Sequence, residues 1–214
     1  MGPFTSVSAG NNHTCGLRED RTVDCWGSNN ADQASPPEGS FNSVSTGDDY
    51  NCGIREDGSV ACWGRSYGTS PPKGSFTSVS VGVSHYCGIR KNGTVFCWGS
   101  NRWGQATVPQ EPFTSVIAQG TNPQNCGLRK DGSVACWSGS WVKDPPPPGP
   151  FISIDAGMSH SCGLRKDGSV ECWGWNESGQ ATPPQGSFIS VSPGGWHSCG
   201  LREDRSVDLS LIHI

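Results

Sequence analysis

The chain has 214 residues, of which only 33% are hydrophobic while 30 are glycine and 16 are proline, a composition that excludes a large aliphatic core and long helices and favours many short strands between turns. Its formal net charge of −4 argues against a broad nucleic-acid footprint, because neutralising phosphates needs a clustered basic face. No apolar run of about 18 residues marks a membrane span, and Met1-Gly2-Pro3-Phe4 has none of the pattern of a signal peptide.

In chain order, the first recurring element opens at Phe4, Phe41, Phe76, Phe113, Phe151 and Phe188, at spacings of 37, 35, 37, 38 and 37 residues, each in a segment of the type Phe-x-Ser-Val/Ile-x-x-Gly/Gln. A fixed period of this length is the signature of propellers and solenoids. The second element is a Cys-Gly-Leu/Ile-Arg run, the third a Val-x-Cys-Trp run, and a Pro-bearing stretch such as Pro36-Pro37, Pro71-Pro72 or Pro145 to Pro148 closes the unit. That gives three strand signals and room for a fourth.

The second and third elements form a hairpin. If Glu56, Asp57 and Gly58 make a three-residue loop with the glycine left-handed, Ile54 faces Val60 and Cys52 faces Cys62, in the close pair class that suits a cross-strand disulfide. A two-residue loop would instead set Cys52 against Trp63. Cys15/Cys25, Cys87/Cys97, Cys126/Cys136 and Cys162/Cys172 share the ten-residue offset, which leaves Cys199 over. Five disulfides would each contribute about 2–3 kcal/mol and belong to an oxidising compartment. The competing reading is a set of buried reduced thiols and a cytoplasmic protein. The sequons Asn12-His-Thr, Asn92-Gly-Thr and Asn176-Glu-Ser are compatible with secretion.

Such a hairpin cannot bury its apolar face alone, so the units must stack. The expected fold is an all-β propeller of short four-stranded blades, five full repeats and a partial sixth in one domain over 1–208, forming an open or incomplete ring; a linear β-solenoid is the rival. Residues 209–214 are an off-pattern tail: Leu209 and Ser210 stand where Cys-Trp is expected, so the last strand of the sixth unit should be missing, and the array reads as a piece of a longer protein.

The composite motif, fullest in Gly157-Met-Ser-His-Ser-Cys-Gly-Leu-Arg-Lys-Asp-Gly-Ser-Val-Glu-Cys-Trp-Gly174 followed by Asn176-Glu-Ser-Gly-Gln180, resembles the repeat of the regulator-of-chromosome-condensation superfamily. The short repeat and paired cysteines are more similar to its bacterial secreted members, the β-lactamase-inhibitory propeller and CRINKLY-type receptor ectodomains than to the nuclear exchange factor. The resemblance implies a seven-bladed propeller that binds proteins. The fourth unit departs from the pattern at Gln124, Ser138 and Pro145 to Pro148, as a distorted blade would.

His13, His85, His160 and His197 each stand two residues before a cysteine, but a pattern repeated blade after blade is not a convergent metal or catalytic site, so they are expected to hydrogen-bond backbone or pack between blades. No metal and no cofactor is expected. The recurring Trp26, Trp63, Trp98, Trp137 and Trp173 should fill gaps between blades, and the charges at the hairpin turns should serve solvation. The aromatics that do not recur, Tyr67, Trp103, Trp141, Trp175 and Trp196, lie in loops that differ between repeats and are the candidate binding residues. The expectation is a non-enzymatic scaffold binding another protein or a ligand, with no nucleic-acid partner and no membrane segment. The rivals are a guanine-nucleotide exchange factor for a small GTPase and a carbohydrate-binding propeller.

Overall fold

Each Phe-x-Ser-Val segment starts an antiparallel sheet in which consecutive strands pair with one another. Repeat 1 contributes β1 (Phe4–Ala9), β2 (His13–Arg18) and β3 (Val23–Gly27); repeat 2, β4 (Phe41–Thr46), β5 (Tyr50–Arg55) and β6 (Val60–Gly64); repeat 3, β7 (Phe76–Val81), β8 (His85–Arg90) and β9 (Val95–Gly99). Repeat 4 contributes β10 (Ser115–Ala118), β11 (Asn125–Leu128) and β12 (Val134–Trp137); repeat 5, β13 (Ser153–Ala156), β14 (His160–Leu164) and β15 (Val170–Gly174); repeat 6, β16 (Ser190–Pro193), β17 (Ser198–Leu201) and β18 (Val207–Ser210). The structure is a computed structural model that describes residues 2–65, 70–118, 120, 124–138, 145–183 and 185–210, with the backbone alone at 209 and 210. Among these residues no helix is long and apolar enough to cross a membrane.

The six sheets form a β-propeller arc in which the first strands β1, β4, β7, β10, β13 and β16 stand side by side around a common cavity. Two expectations need correction. Among the described residues each blade shows three paired strands where four were expected, and the described parts of the Pro-bearing connectors join none of the sheets. The last strand of repeat 6 is present, since β18 pairs Leu209 with Cys199 and Val207 with Leu201; strand pairing uses backbone groups and does not require the missing cysteine.

The hairpin register follows the three-residue loop. Cys15, Cys52, Cys87, Cys126 and Cys162 lie opposite Cys25, Cys62, Cys97, Cys136 and Cys172 and are bonded to them, with Cα separations of 4.0–4.1 Å. The left-handed loop position holds Gly58, Gly93, Gly132 and Gly168 in the inner repeats, but Arg21 (φ 67°) and Arg205 (φ 68°) in the first and last. Asp57 Oδ1 caps the turn by accepting from the Ser59 amide at 2.8 Å, and Asp20, Asp131, Asp167 and Asp204 do the same in their repeats.

Each letter of the Cys-Gly-Leu-Arg run has a packing role. The cysteine and the Leu or Ile of one blade meet the opening phenylalanine of the next: Phe41 packs on Cys15, Leu17 and Val23, and Phe151 on Cys126 and Leu128. The glycine makes room for its own blade's phenylalanine; a Cβ on Gly163 would lie 2.5 Å from Phe151 Cδ1. The arginine does more than solvate the turn, since its guanidinium covers the same ring, Arg165 at 4.5 Å from the Phe151 centroid and Arg55 at 4.9 Å from Phe41. The recurring tryptophans behave as expected between blades, with Trp98, Trp137 and Trp173 buried and Trp63 partly so. Trp26 and Phe4 are 46% and 41% exposed because no blade packs against repeat 1 on that side. The opposite open face carries Val207, Leu201 and Cys199.

Candidate binding face around the central channel

The histidines stitch blades together in alternation. Buried His13, His85 and His160 place Nε2 at 2.6, 2.7 and 2.8 Å from Asn51 Oδ1, Asn125 Oδ1 and Ser198 Oγ of the following blade. Asn51 and Asn125 donate in turn to the carbonyls of Gln33 and Gln105 at 2.8 and 2.7 Å, and Ser198 to that of Gln180 at 3.1 Å. So blades 1 and 2, 3 and 4, and 5 and 6 are joined by polar relays. Blades 2 and 3 meet through aromatic packing instead, Tyr50 against Tyr86 and Tyr86 stacked on Trp98. The histidine partners are side chains of the next blade, not the backbone, and His197, which has no following blade, is exposed. Burial lowers the His85 pKa, and burial together with nearby His197 holds His160 at about 4. Among the described residues no group of three His, Cys, Asp or Glu converges as metal ligands.

Closer to the axis, a serine at the fifth position of the first strand in repeats 1 to 3 accepts a hydrogen bond from the next blade's backbone. Ser8 Oγ accepts from the Thr46 amide at 3.1 Å, Ser45 Oγ from Val81 at 3.2 Å and Ser80 Oγ from Ala118 at 2.9 Å. Repeat 4 has Ile117 at this position and cannot accept. The orphaned Ala156 amide donates instead to Asp155 Oδ1 of its own blade at 2.8 Å, and Ser192 hydrogen-bonds the same carboxyl. The next blade's backbone makes no demand on Asp155 at the equivalent position, because Pro193 has no N–H. Burial pushes the Asp155 pKa up to about 6, against the lowering effect of these two hydrogen bonds.

These strands enclose a channel of about 660 Å³ lined from all six repeats. Its mouth is formed by the loops between the first and second strands, which bring Asp48, Val83, Met158, Trp196 and His197 to the opening. The segments that follow the third strands leave from the same end, where the Ser28, Arg65, Ser100 and Trp175 amides donate to carbonyls of the mouth loops Asn12, Asp49, Ser84 and Ser159. Three of the five candidate aromatics therefore lie at one end of the propeller: Trp196 at the channel mouth, and Trp103 and Trp175 in the outer loops, 60%, 43% and 51% exposed. Tyr67 and Trp141 lie outside the described residues. Asp48, Val83, Met158 and Asp155 were missed in the sequence. The available signal was the fifth strand position, where serine recurs except at Ile117 and Asp155, and the unlike residues just beyond it.

A disulfide-stapled β-propeller arc of six copies of one motif around a central channel is a repeat-built propeller domain. The sequence profile of the regulator of chromosome condensation (RCC1) repeat matches residues 4–33, 41–68, 76–105 and 151–180, more than half of the chain, and the chain belongs to that family. The fourth unit, with its departures, falls outside the matched segments. Among solved structures, the chain is similar to the ectodomain of the Physcomitrella patens receptor kinase CR4, with 28% identity and a TM-score of 0.85 over 98% of this chain and 61% of that one. It is similar to the CRINKLY WD40 ectodomain of the Arabidopsis thaliana receptor kinase ACR4, with 28% identity and a TM-score of 0.83 over 96% and 79%. Yeast RCC1 (Prp20), solved bound to Kap60, shares the fold at 17% identity and a TM-score of 0.78 over 96% and 69%. The chain thus spans less than two thirds of the moss ectodomain. No curated protein matches it significantly.

Proposed function

We propose that the chain is a non-enzymatic binding scaffold that engages another protein through the loops at the channel-mouth end. The observation that carries this reading is the division of the aromatics. Those of the repeating frame pack between blades except at the open edge of repeat 1, where Phe4 and Trp26 are exposed, whereas Trp103, Trp175 and Trp196 are exposed together at one end on loops of unlike sequence. Trp103, Trp175 and Trp196 occupy three non-equivalent positions of their repeats, which favours one composite surface over the repeated pockets of a carbohydrate-binding propeller. The five disulfides support an oxidising compartment, as a receptor-like or secreted protein would occupy.

The test is a photo-crosslinking amino acid placed singly at positions 103, 175 and 196, with positions 20 and 57 at the hairpin-turn end as controls, in the producing cells. Specific adducts to one protein from the first set and not the second are expected. Adducts from the turn end alone would overturn the choice of face. Accelerated nucleotide release from a small GTPase would overturn the reading in favour of an exchange factor.

A further inference from the structure

The channel-mouth end differs from the turn end in charge as well as in aromatic content. Arg18, Arg55, Arg90, Arg129, Arg165 and Arg202 all lie at the turn end, where they cover phenylalanine rings. At the mouth end the described charged residues are Asp32, Asp48, Asp49, Asp155 and Glu177, against Arg65 and Arg102. Arg65 is ion-paired with Asp49 at 3.4 Å and Arg102 lies 5.3 Å from the Trp103 ring centroid, so neither faces the channel. Among the described residues the channel lining contains the carboxylates of Asp48 and Asp155 and no lysine or arginine. Apart from Asn11 and His197 the rest of its wall is apolar or hydroxylic, and the partly buried Asp155 carboxylate is held by the Ala156 amide and Ser192 with no lysine or arginine among the lining residues, which leaves its charge unbalanced.

We propose that the occupant of this channel is a lysine or arginine side chain projected from a basic loop of the partner protein, with its alkyl stem against Val83, Met158 and Trp196. The volume of about 660 Å³ admits such a side chain with room for water. The exposed indole of Trp196 offers a cation a π face at the entrance, and the Asp48 and Asp155 carboxylates attract it along the channel. The raised pKa of Asp155, at about 6, is what a carboxyl awaiting a counter-charge would have. This inference rests on the proposed binding face and adds the chemistry of what binds there.

The experiment is a selection from a displayed library of random loops on an inert scaffold, carried out against the oxidised full chain and followed by affinity measurement on variants. Asp155→Asn retains an acceptor for the Ala156 amide, so the fold should persist, with an unchanged circular dichroism melt at pH 7.5 within a few degrees as the control. The expected result is enrichment of loops bearing Lys or Arg. Their affinity should fall about tenfold or more with Asp155→Asn, and again with Trp196→Ala. Replacing the selected Lys or Arg by norleucine should lose the same factor on the native chain and nothing further on Asp155→Asn. Enriched loops that are acidic or uncharged but still need Trp196 would overturn this inference and leave the binding face standing. Loops indifferent to Trp103, Trp175 and Trp196, or no binders at all, would overturn both.

Discussion

Replacing Gly163 by alanine tests the packing rule that builds the propeller. The new Cβ would stand 2.5, 2.7 and 3.0 Å from Cδ1, Cε1 and Cγ of Phe151, where carbon contacts settle at about 3.5–4.0 Å. The ring has nowhere to retreat: it is 3% exposed, packs on Cys126 and Leu128 of the previous blade, and is covered by Arg165. Overpacking costs about 1–3 kcal/mol, and alanine recovers about 0.5–1 kcal/mol of strand preference over glycine, so the net loss should be about 1–2 kcal/mol. For a domain of this length that corresponds to a fall in Tm of about 2–8 °C by calorimetry under oxidising conditions. Gly16→Ala is the internal control. Its Cβ would also lie 2.5 Å from a phenylalanine, but Phe4 is 41% exposed and can swing away, so the expected change is within about 0.5 kcal/mol. Adding Phe151→Leu to Gly163→Ala should recover part of the loss, a coupling that a double-mutant cycle measures. Equal Tm shifts for the two glycines, or no loss at Gly163, would refute the reasoning.

Arg21→Gly and Arg205→Gly should each raise stability by about 0.5–1 kcal/mol in a thermal melt, because left-handed backbone costs a side-chain-bearing residue about 1–2 kcal/mol and glycine's entropy returns part of that; a lower Tm would count against the turn assignment. Alkylation without reductant should label one thiol per chain, Cys199, and slowly at neutral pH since burial raises its pKa, whereas reduction should expose all 11 cysteines in the mass spectrum. Between pH 6.5 and 4 two groups oppose each other. The unfolded chain protonates histidine near 6.5 while His160 resists to about 4, so stability falls with pH; Asp155 protonates near 6 in the folded chain but near 4 when unfolded, so stability rises with falling pH. Asp155→Asn should therefore steepen the decline of Tm across that window, and an unchanged slope would exclude the proposed burial of its carboxyl. Asp20, Asp57, Asp131, Asp167 and Asp204 have pKa values lowered by hydrogen bonds to the Thr or Ser two residues on; their stabilisation is present above the ordinary Asp value and disappears as pH falls through the lowered ones. Asp57→Asn should weaken this acid dependence in a pH titration of Tm.

What could be read directly was local. The offset between Cys52 and Cys62 and the Asp57-Gly58 turn narrow the hairpin to two registers within eleven residues, and the three-residue loop, which pairs the cysteines, is the one the structure adopts. Contacts between blades were only partly legible, because they join residues about 38 positions apart whose matching is a property of the stacked array. Packing between blades was one of two roles legible for His13, but Asn51 as its acceptor was not, and nothing local marks the glycine of Cys-Gly-Leu as the site that makes room for Phe151. The fourth strand was not legible for a related reason: a Pro-bearing connector and a short edge strand both read as extended segments, and among the described residues the connectors join no sheet. Trp196 was legible from its bulk in a variable loop, while Asp155 carries no signal of its own, because its role depends on Ile117 in the preceding blade.

The alternating histidine relay gives the array a grammar of pairs. Removing blade 2 alone would bring His13 against Tyr86, which carries no amide acceptor, whereas removing blades 2 and 3 together would bring it against Asn125 and restore the match made by His85. Propellers of this design should therefore tolerate gain or loss of repeats in twos better than in ones, and a chain shortened or lengthened by two repeats would be the natural scaffold on which to regraft the mouth loops.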